Sequence, residues 1–364
     1  MRGVLLAFAL TGCSFHPGSL GGGGDADMMR PDLPDGLQLV TRRLVFDNSA
    51  SAIEFIDLPV LVALDSSKIE YSLIKDPNSD LRFEDPATGK PVAFEIEAWN
   101  PGGESIVWIK VPDLMPHSTT TSVLMHYGPL AAGTPEPAFV NTLAQWELVN
   151  HMKPSLENAV GPKYAGTAIG VTQTDGYIGP AIGFSGVGDQ RVTFTSSGDL
   201  FDGWGSFNLM FWLYVDYASG TTLGTTEPRV MEKGGSLGNG RVYGDAGSNI
   251  VFQVDFTFTG MNNIAYLNTV VPPKTWTFIT YNYDRGTETL QVFNSGVQGG
   301  LYSMAGGQQE YLVNDVQPFY LGAATGSFVG RIDELRIEKR TRSPDYMRAQ
   351  FLIMTRRFVT FTDP

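Results

Sequence analysis

The chain has 364 residues, with 38 acidic side chains against 25 basic ones for a formal charge of −13, and a single cysteine. The acids are spread along the chain and Lys and Arg form no cluster, which excludes nucleic acid as a partner because a phosphate backbone calls for concentrated positive charge. One cysteine excludes an intrachain disulfide, a cysteine zinc site and a CxxC redox pair, while the length accommodates two domains with cores of their own.

At the N-terminus, Met1-Arg2 is a short positive start, and residues 3–10 are an apolar stretch too short to cross a bilayer. Leu10-Thr11-Gly12-Cys13 closes it. This run resembles the lipobox of bacterial lipoproteins, which implies that residues 1–12 are a signal peptide removed before Cys13. The resemblance further implies a diacylglyceryl thioether on the Cys13 sulfur and acylation of its new amino group. Buried methylenes are worth about 0.8 kcal/mol each, and more than one acyl chain gives stable anchoring. Ser14, rather than Asp, after the cysteine resembles the outer-membrane sorting signal of a Gram-negative host, so the expected location is outer membrane or cell surface. The competing reading is a plain secretory signal with an incidental cysteine, or an internal start codon. No later segment approaches ~20 consecutive apolar residues, so the acyl anchor is the expected membrane contact.

Residues 13–37 read as a tether. A four-glycine run at 21–24 is followed by Asp25, Asp27, Pro31, Asp32, Pro34 and Asp35, too little apolar surface to order itself. As a flexible coil it spans roughly 25–30 Å, which holds the folded part of the chain away from the anchor.

The rest of the chain reads as β-structure. Short apolar runs at 60–64, 92–97 and 105–111 are separated by turn clusters such as Asp76-Pro77-Asn78, Thr88-Gly89-Lys90-Pro91 and Asn100-Pro101-Gly102-Gly103. Phe207, Leu209, Phe211, Leu213 and Val215 alternate with period two. Ile250, Phe252, Val254, Phe256 and Phe258 do the same, with Gln253, Asp255 and Thr257 on the opposite face. Leu290-Gln291-Val292-Phe293 runs into Asn294-Ser295-Gly296, a hairpin turn. The one helical segment is 344–353, with Ser343 as its cap and Pro344 in its first turn. Many short strands with regular turns predict an all-β chain of two sandwiches or jelly rolls in tandem. The Pro-rich stretch Ala131-Ala132-Gly133-Thr134-Pro135-Glu136-Pro137 marks the boundary.

Two family resemblances sharpen this division. Val60-Leu61-Val62-Ala63-Leu64-Asp65, Asp80-Leu81-Arg82-Phe83-Glu84-Asp85, Phe94-Glu95-Ile96-Glu97-Ala98-Trp99-Asn100, Val107-Trp108-Ile109-Lys110-Val111-Pro112 and Met125-His126-Tyr127-Gly128 occur in that order. They resemble an uncharacterised bacterial and archaeal surface domain, a β-sandwich of unknown function, here assigned residues 38–129. After a linker at 130–145, residues 146–364 resemble a laminin-G-like, concanavalin A-like jelly roll. Gly179-Pro180-Ala181-Ile182-Gly183-Phe184, Trp276-Thr277-Phe278 and above all Gly330-Arg331-Ile332-Asp333-Glu334-Leu335-Arg336-Ile337 carry that likeness.

The residues capable of chemistry are few. Glu95 and Glu97 share a strand face, but the Glu-x-Asp-x-x-Glu strand of related glycanases is absent, so the pair reads as a solvated face. Asp333 and Glu334 are adjacent and point to opposite sides of a strand. His16, His117, His126 and His151 form no HExxH, and there is no GxSxG elbow. No catalytic residue is assigned. Related jelly rolls often hold a structural calcium between a late-strand Asp and early-strand carbonyls, which the resemblance transfers to Asp333 and Gly183; the alternative is that Asp333 caps backbone amides. For sugar stacking the candidates are Trp204, Trp212, Tyr214 and Tyr243, against the alternative that they pack in the core. Trp99, Trp108 and Trp276 read as structural. The expected function is a lipid-anchored surface protein that binds glycan or an envelope or matrix polymer. The alternatives are an assembly protein making protein contacts and, more remotely, a glycoside hydrolase.

Overall fold

The computed structural model describes residues 38–364 apart from 141, 143–145, 219–222, 224–227, 235–236, 245–249, 260–264 and 305–309. Cys13 and the segment 13–37 expected to be a tether lie outside the described residues. The first sandwich is built from β1 (Val40–Phe46), β2 (Phe55–Leu64), β3 (Leu81–Glu84), β4 (Pro91–Val92), β5 (Phe94–Ala98), β6 (Ser105–Leu114) and β7 (Ser122–Tyr127). The second begins with β8 (Trp146–Asn150), β9 (Gly166–Ile169), β10 (Thr172–Asp175), β11 (Pro180–Ser185), β12 (Gln190–Phe194), β13 (Ser206–Val215) and β14 (Arg229–Lys233). It continues through β15 (Leu237–Gly244), β16 (Ile250–Phe256), β17 (Ala265–Val270), β18 (Thr277–Asp284), β19 (Thr289–Asn294), β20 (Val297–Ser303), β21 (Tyr320–Ala323) and β22 (Val329–Glu338). A helix at Pro344–Met354 and a last strand, β23 (Val359–Thr362), end the chain.

Antiparallel pairing gives four sheets. The first sandwich has a five-stranded sheet, β23-β1-β7-β3-β4, and a three-stranded one, β2-β6-β5. The jelly roll has an eight-stranded sheet, β10-β11-β22-β13-β18-β19-β20 with β8 also on β22, and a seven-stranded one, β17-β16-β15-β14-β21-β12-β9. The β19–β20 hairpin turns on Ser295 and Gly296 with φ of 53° and 76°, the left-handed pair that a two-residue hairpin loop demands. Ser343 Oγ accepts from the Tyr346 amide and Pro344 opens the helix, as the sequence predicts.

Strand β13 shows how the layers stack. Phe207, Leu209, Phe211, Leu213 and Val215 face the jelly-roll core, where Phe252, Phe256 and Tyr281 meet them. Met210 and Trp212, on the other face, join Phe278 and Phe293 in a second core that is continuous with the first sandwich and the helix. Trp212 is 2% exposed, stacked 3.7 Å from Tyr177 and donating Nε1–H to Met354 Sδ at 3.2 Å. The three-stranded sheet is likewise buried on both sides. Phe94 meets Phe83 at 5.3 Å on one face, while Trp108, on the other, lies 4.4 Å from the guanidinium of Arg336 on β22. The eight-stranded sheet is thus covered on its outer face by the helix and the first sandwich.

The chain between the sandwiches and the chain after the helix both return to the first sandwich. The Gly133 and Glu136 amides donate to the carbonyls of Ser79 and Phe94, at 2.7 and 2.9 Å. Strand β23 pairs with β1, Phe361 opposite Leu44 and Val359 opposite Phe46, and Phe358 is buried 6.5 Å from Phe46. The last strand of the chain therefore completes the sheet that its first strand begins.

This packing makes two changes costly. Trp212→Ala should destabilise by about 3–5 kcal/mol in urea unfolding, because the site is walled by two elements that cannot collapse into the cavity. Removing residues 358–364 should cost at least about 3 kcal/mol through loss of buried Phe358 and the β1 pairing, read in the same experiment.

Candidate functional site

With its eight-stranded sheet covered, the jelly roll presents part of the outer face of its seven-stranded sheet, where Val251, Gln253 and Asp255 are themselves buried. Register fixes what lies there: Thr193 stands opposite Tyr320, Tyr320 opposite Glu232, Arg241 opposite Gln253 and Tyr243 opposite Val251. Inward residues of the same strands, Val192, Val242, Phe252 and Val254, fill the core. A depression of about 330 Å³ opens on this face, lined by Arg191, Arg229, Glu232, Gln317, Tyr320 and Thr325 among others. Its charged groups are pre-oriented. Arg229 pairs with Glu232, and Arg191 lies 3.3 Å from Asp189 and 5.5 Å over the Tyr320 ring; elsewhere on the sheet, outside the depression, Arg241 holds the buried Asp255 at 2.9 Å and Gln253 donates to the same carboxylate at 2.5 Å.

The sequence-derived aromatic candidates divide. Tyr243 is half-buried on this face, opposite Val251, and does not line the depression. Trp204 is 3% exposed, packed 5.1 Å from Phe201 in the jelly-roll core, and offers no ring face to a ligand. Trp212 lies in the junction between sandwiches, as described. Both are core residues, for different reasons: Trp212 is on a strand between two packed layers, which is apolar on both faces, whereas Trp204, in the turn before β13, folds back into the jelly-roll core. Tyr214 is half-buried on the covered sheet, 5.5 Å from Trp276 and under the Arg331 guanidinium at 4.3 Å.

Asp333 and Gly183 do not stand together in register. Gly183 pairs with Arg331 and Thr172, whereas Asp333 Oδ2 accepts the amides of Tyr177 and Ile178 at 2.8 Å each. Asp333 clamps the Gly176–Gly179 turn; a Cβ at Gly176 would sit 2.5 Å from its carboxylate.

A second polar constellation lies in the junction itself, and sequence reading missed it. β22 pairs with β11 through Ile332 and with β8 from Leu335, leaving Asp333 and Glu334 between the two partners. Glu334 sits at φ +50°, a left-handed position that side chains other than glycine rarely take and that re-aims its carboxylate. It accepts from Arg336 Nη2 at 2.6 Å and lies 2.5 Å from His151 Nδ1. His151 Nε2 reaches Glu95 at 3.2 Å, and Glu97 is 3.4 Å from Nδ1 while accepting from Trp108 Nε1 at 2.6 Å. Glu95 and Glu97 do share a face, but it points into the junction rather than to solvent. Glu97, His151, Glu334 and Arg336 are all buried. Burial and the Glu334 charge push Glu97 up to about 8. Burial alone would lower His151, but Glu334 and Glu97 raise it to about 10. Burial opposes the Glu334 charge, yet His151 and Arg336 hold it at about 2. The signal that was available is charge inside apolar strands: Glu95 and Glu97 on one, Glu334 and Arg336 on another.

Comparison with known proteins places the second sandwich. Residues 186–346 match the family described as the Concanavalin A-like lectin/glucanases superfamily, a little under half of the chain. No curated protein matches the chain. Among solved structures, the binding domain of Paraclostridial Mosquitocidal Protein 1 is similar at 14% identity, over 57% of this chain and 52% of that one, with a TM-score of 0.46. Domain 4 of AbnA, a GH43 extracellular arabinanase from Geobacillus stearothermophilus, in complex with arabinotriose, is similar at 18% over 56% and 97%, TM-score 0.41. The binding domain of Botulinum neurotoxin DC in complex with rat synaptotagmin II is similar at 12% over 58% and 52%, TM-score 0.44. The chain spans about half the length of the first and third of these. The described residues form two β-sandwiches, and the second is the jelly roll whose residues 186–346 match the concanavalin A-like superfamily.

Proposed function

We propose that this is a lipid-anchored surface protein whose jelly roll binds carbohydrate on the outer face of the seven-stranded sheet. The carrying observation is which face is left open. One sheet of the jelly roll is roofed by the helix and the first sandwich, and the other bears a depression with forked cations, a carboxylate and a tyrosine ring. Sugars call for that mixture: planar charged groups that take two hydroxyls at once, and aromatic surface for their C–H faces. The superfamily description, which names lectins and glucanases, supports a sugar over other ligands. Glu232 is the one carboxylate among the described residues lining the depression and is engaged by Arg229, whereas glycoside hydrolysis calls for two facing carboxyls. That favours binding over cleavage. Cys13 would carry the anchor, and among the described residues no helix is long and apolar enough to cross a membrane.

A glycan array probed with soluble protein from Leu37 to Pro364 should give binding that falls about tenfold in Tyr320→Ala and in Arg191→Ala, the loss of one contact of about 1.4 kcal/mol. No bound glycan, or binding indifferent to both changes, would favour the protein-contact reading instead. For the anchor, Cys13→Ser should abolish incorporation of labelled fatty acid and move the protein out of the membrane fraction. Unchanged labelling would remove the lipoprotein assignment.

A further inference from the structure

The junction holds more acid than its bases can pair. Glu95, Glu97, Asp333 and Glu334 converge there with His151 and Arg336, while the nearby Lys153 ammonium donates to the Ile96 carbonyl at 3.2 Å. A closed site sheds such an excess only by taking up protons or a cation. Two carboxylate oxygens of this group, Glu97 Oε1 and Asp333 Oδ1, are also buried without a hydrogen-bond partner. Glu97 is 7% exposed, and its Oε1 lies against the backbone at Gly179, where even a Cβ would approach within 2.4 Å.

We propose that Glu97, His151 and Glu334 bind one divalent transition-metal ion, which pins the first sandwich to the jelly roll. A ligand atom from each lies within 4.8 Å of the others. Two of the donors are held from behind, and the third shares its facing oxygen with an indole N–H. Glu95 takes the far nitrogen of His151 at 3.2 Å, Arg336 takes the far oxygen of Glu334 at 2.6 Å, and Trp108 donates to Glu97 Oε2 at 2.6 Å. A carboxylate on the second ring nitrogen is the usual support of a metal-binding histidine, because it fixes the tautomer and raises basicity. Donors about 2.0–2.2 Å from a tetrahedral ion stand roughly 3.4 Å apart. The His151–Glu97 separation of 3.4 Å already matches, and Glu334, at 2.5 Å from Nδ1, has to withdraw by about 1 Å.

One imidazole with two carboxylates suits zinc or manganese rather than calcium, which takes six to eight oxygens. Glu97 comes from the first sandwich and the other two from the jelly roll, so the site is complete only when the two are packed. His151 is 4% exposed and Glu334 fully buried, so the ion is enclosed as the sandwiches close and exchanges slowly. This site is separate from the depression on the seven-stranded sheet, and it stands whether or not that face binds sugar.

The test is elemental analysis and thermal unfolding of the purified full-length protein. Expected after dialysis is about one zinc or manganese per chain. Stripping with chelator under mildly loosening conditions should lower Tm by on the order of 5–10 °C, and zinc, but not calcium, should restore it. Glu97→Gln and His151→Gln should weaken retention by about 10-fold or more. Should either variant fail to fold, stripping and reloading the unmutated protein decides alone. No bound metal together with a Tm indifferent to chelator and zinc would overturn the proposal, leaving protons to neutralise the cluster. Restoration by calcium alone would overturn it equally.

Discussion

The architecture depends on one constraint: the eight-stranded sheet of the jelly roll is apolar on both faces, and both must be covered. Its inner face meets the seven-stranded sheet. Its outer face, with Met210, Trp212, Phe278 and Phe293, cannot be left in water, since each large side chain of this kind is worth about 1.5–3 kcal/mol when buried. The C-terminal helix and the three-stranded sheet of the first sandwich supply the cover. That explains why the three-stranded sheet is itself buried on two sides, and why the chain returns after the helix to lay β23 on β1. It also selects the surface available for a ligand, because a roofed sheet leaves only its partner open.

Placing charge in that junction looks costly, and the geometry shows how the cost is limited. Arg336 is fully buried yet lies between its carboxylate partner and the faces of Trp108 and Phe139, at 4.4 and 4.8 Å, and donates to Gln350 on the helix at 3.0 Å. Aromatic faces and one carboxylate oxygen that accepts from two of its N–H groups together replace much of the hydration a guanidinium gives up. Such groups specify register more than they add stability. An apolar junction would tolerate sliding of one sandwich over the other, whereas His151 reaches Glu95 and Glu334 only in one position.

Much of this fold was legible from residue patterns. Alternation along 207–215 and 250–258 marked strands and their core faces, Asn294-Ser295-Gly296 marked the hairpin, and Ser343-Pro344 marked the helix start. Each is local, with a period or a cap that short range dictates. What escaped is non-local. Trp204 and Trp212 share the sequence signature of exposed aromatics, and only the layers packed against them show otherwise. The Glu97–His151–Glu334 constellation joins residues from three distant segments, and β23 meets β1 across nearly the whole chain; neither can be read from any short window. Tyr320 and Arg191 became candidate ligand contacts only once β12 and β21 were known to be neighbours.

The most direct check on the central claim is covalent footprinting of the Leu37–Pro364 protein in solution with a small reactive carbene, read by mass spectrometry residue by residue. Labelling of Tyr320 and Tyr243 is expected, with strong protection of Met210, Trp212 and Phe278. Labelling of those three to the level of the tyrosines would mean that the first sandwich does not roof the jelly roll, and the assignment of the open face would fall with it.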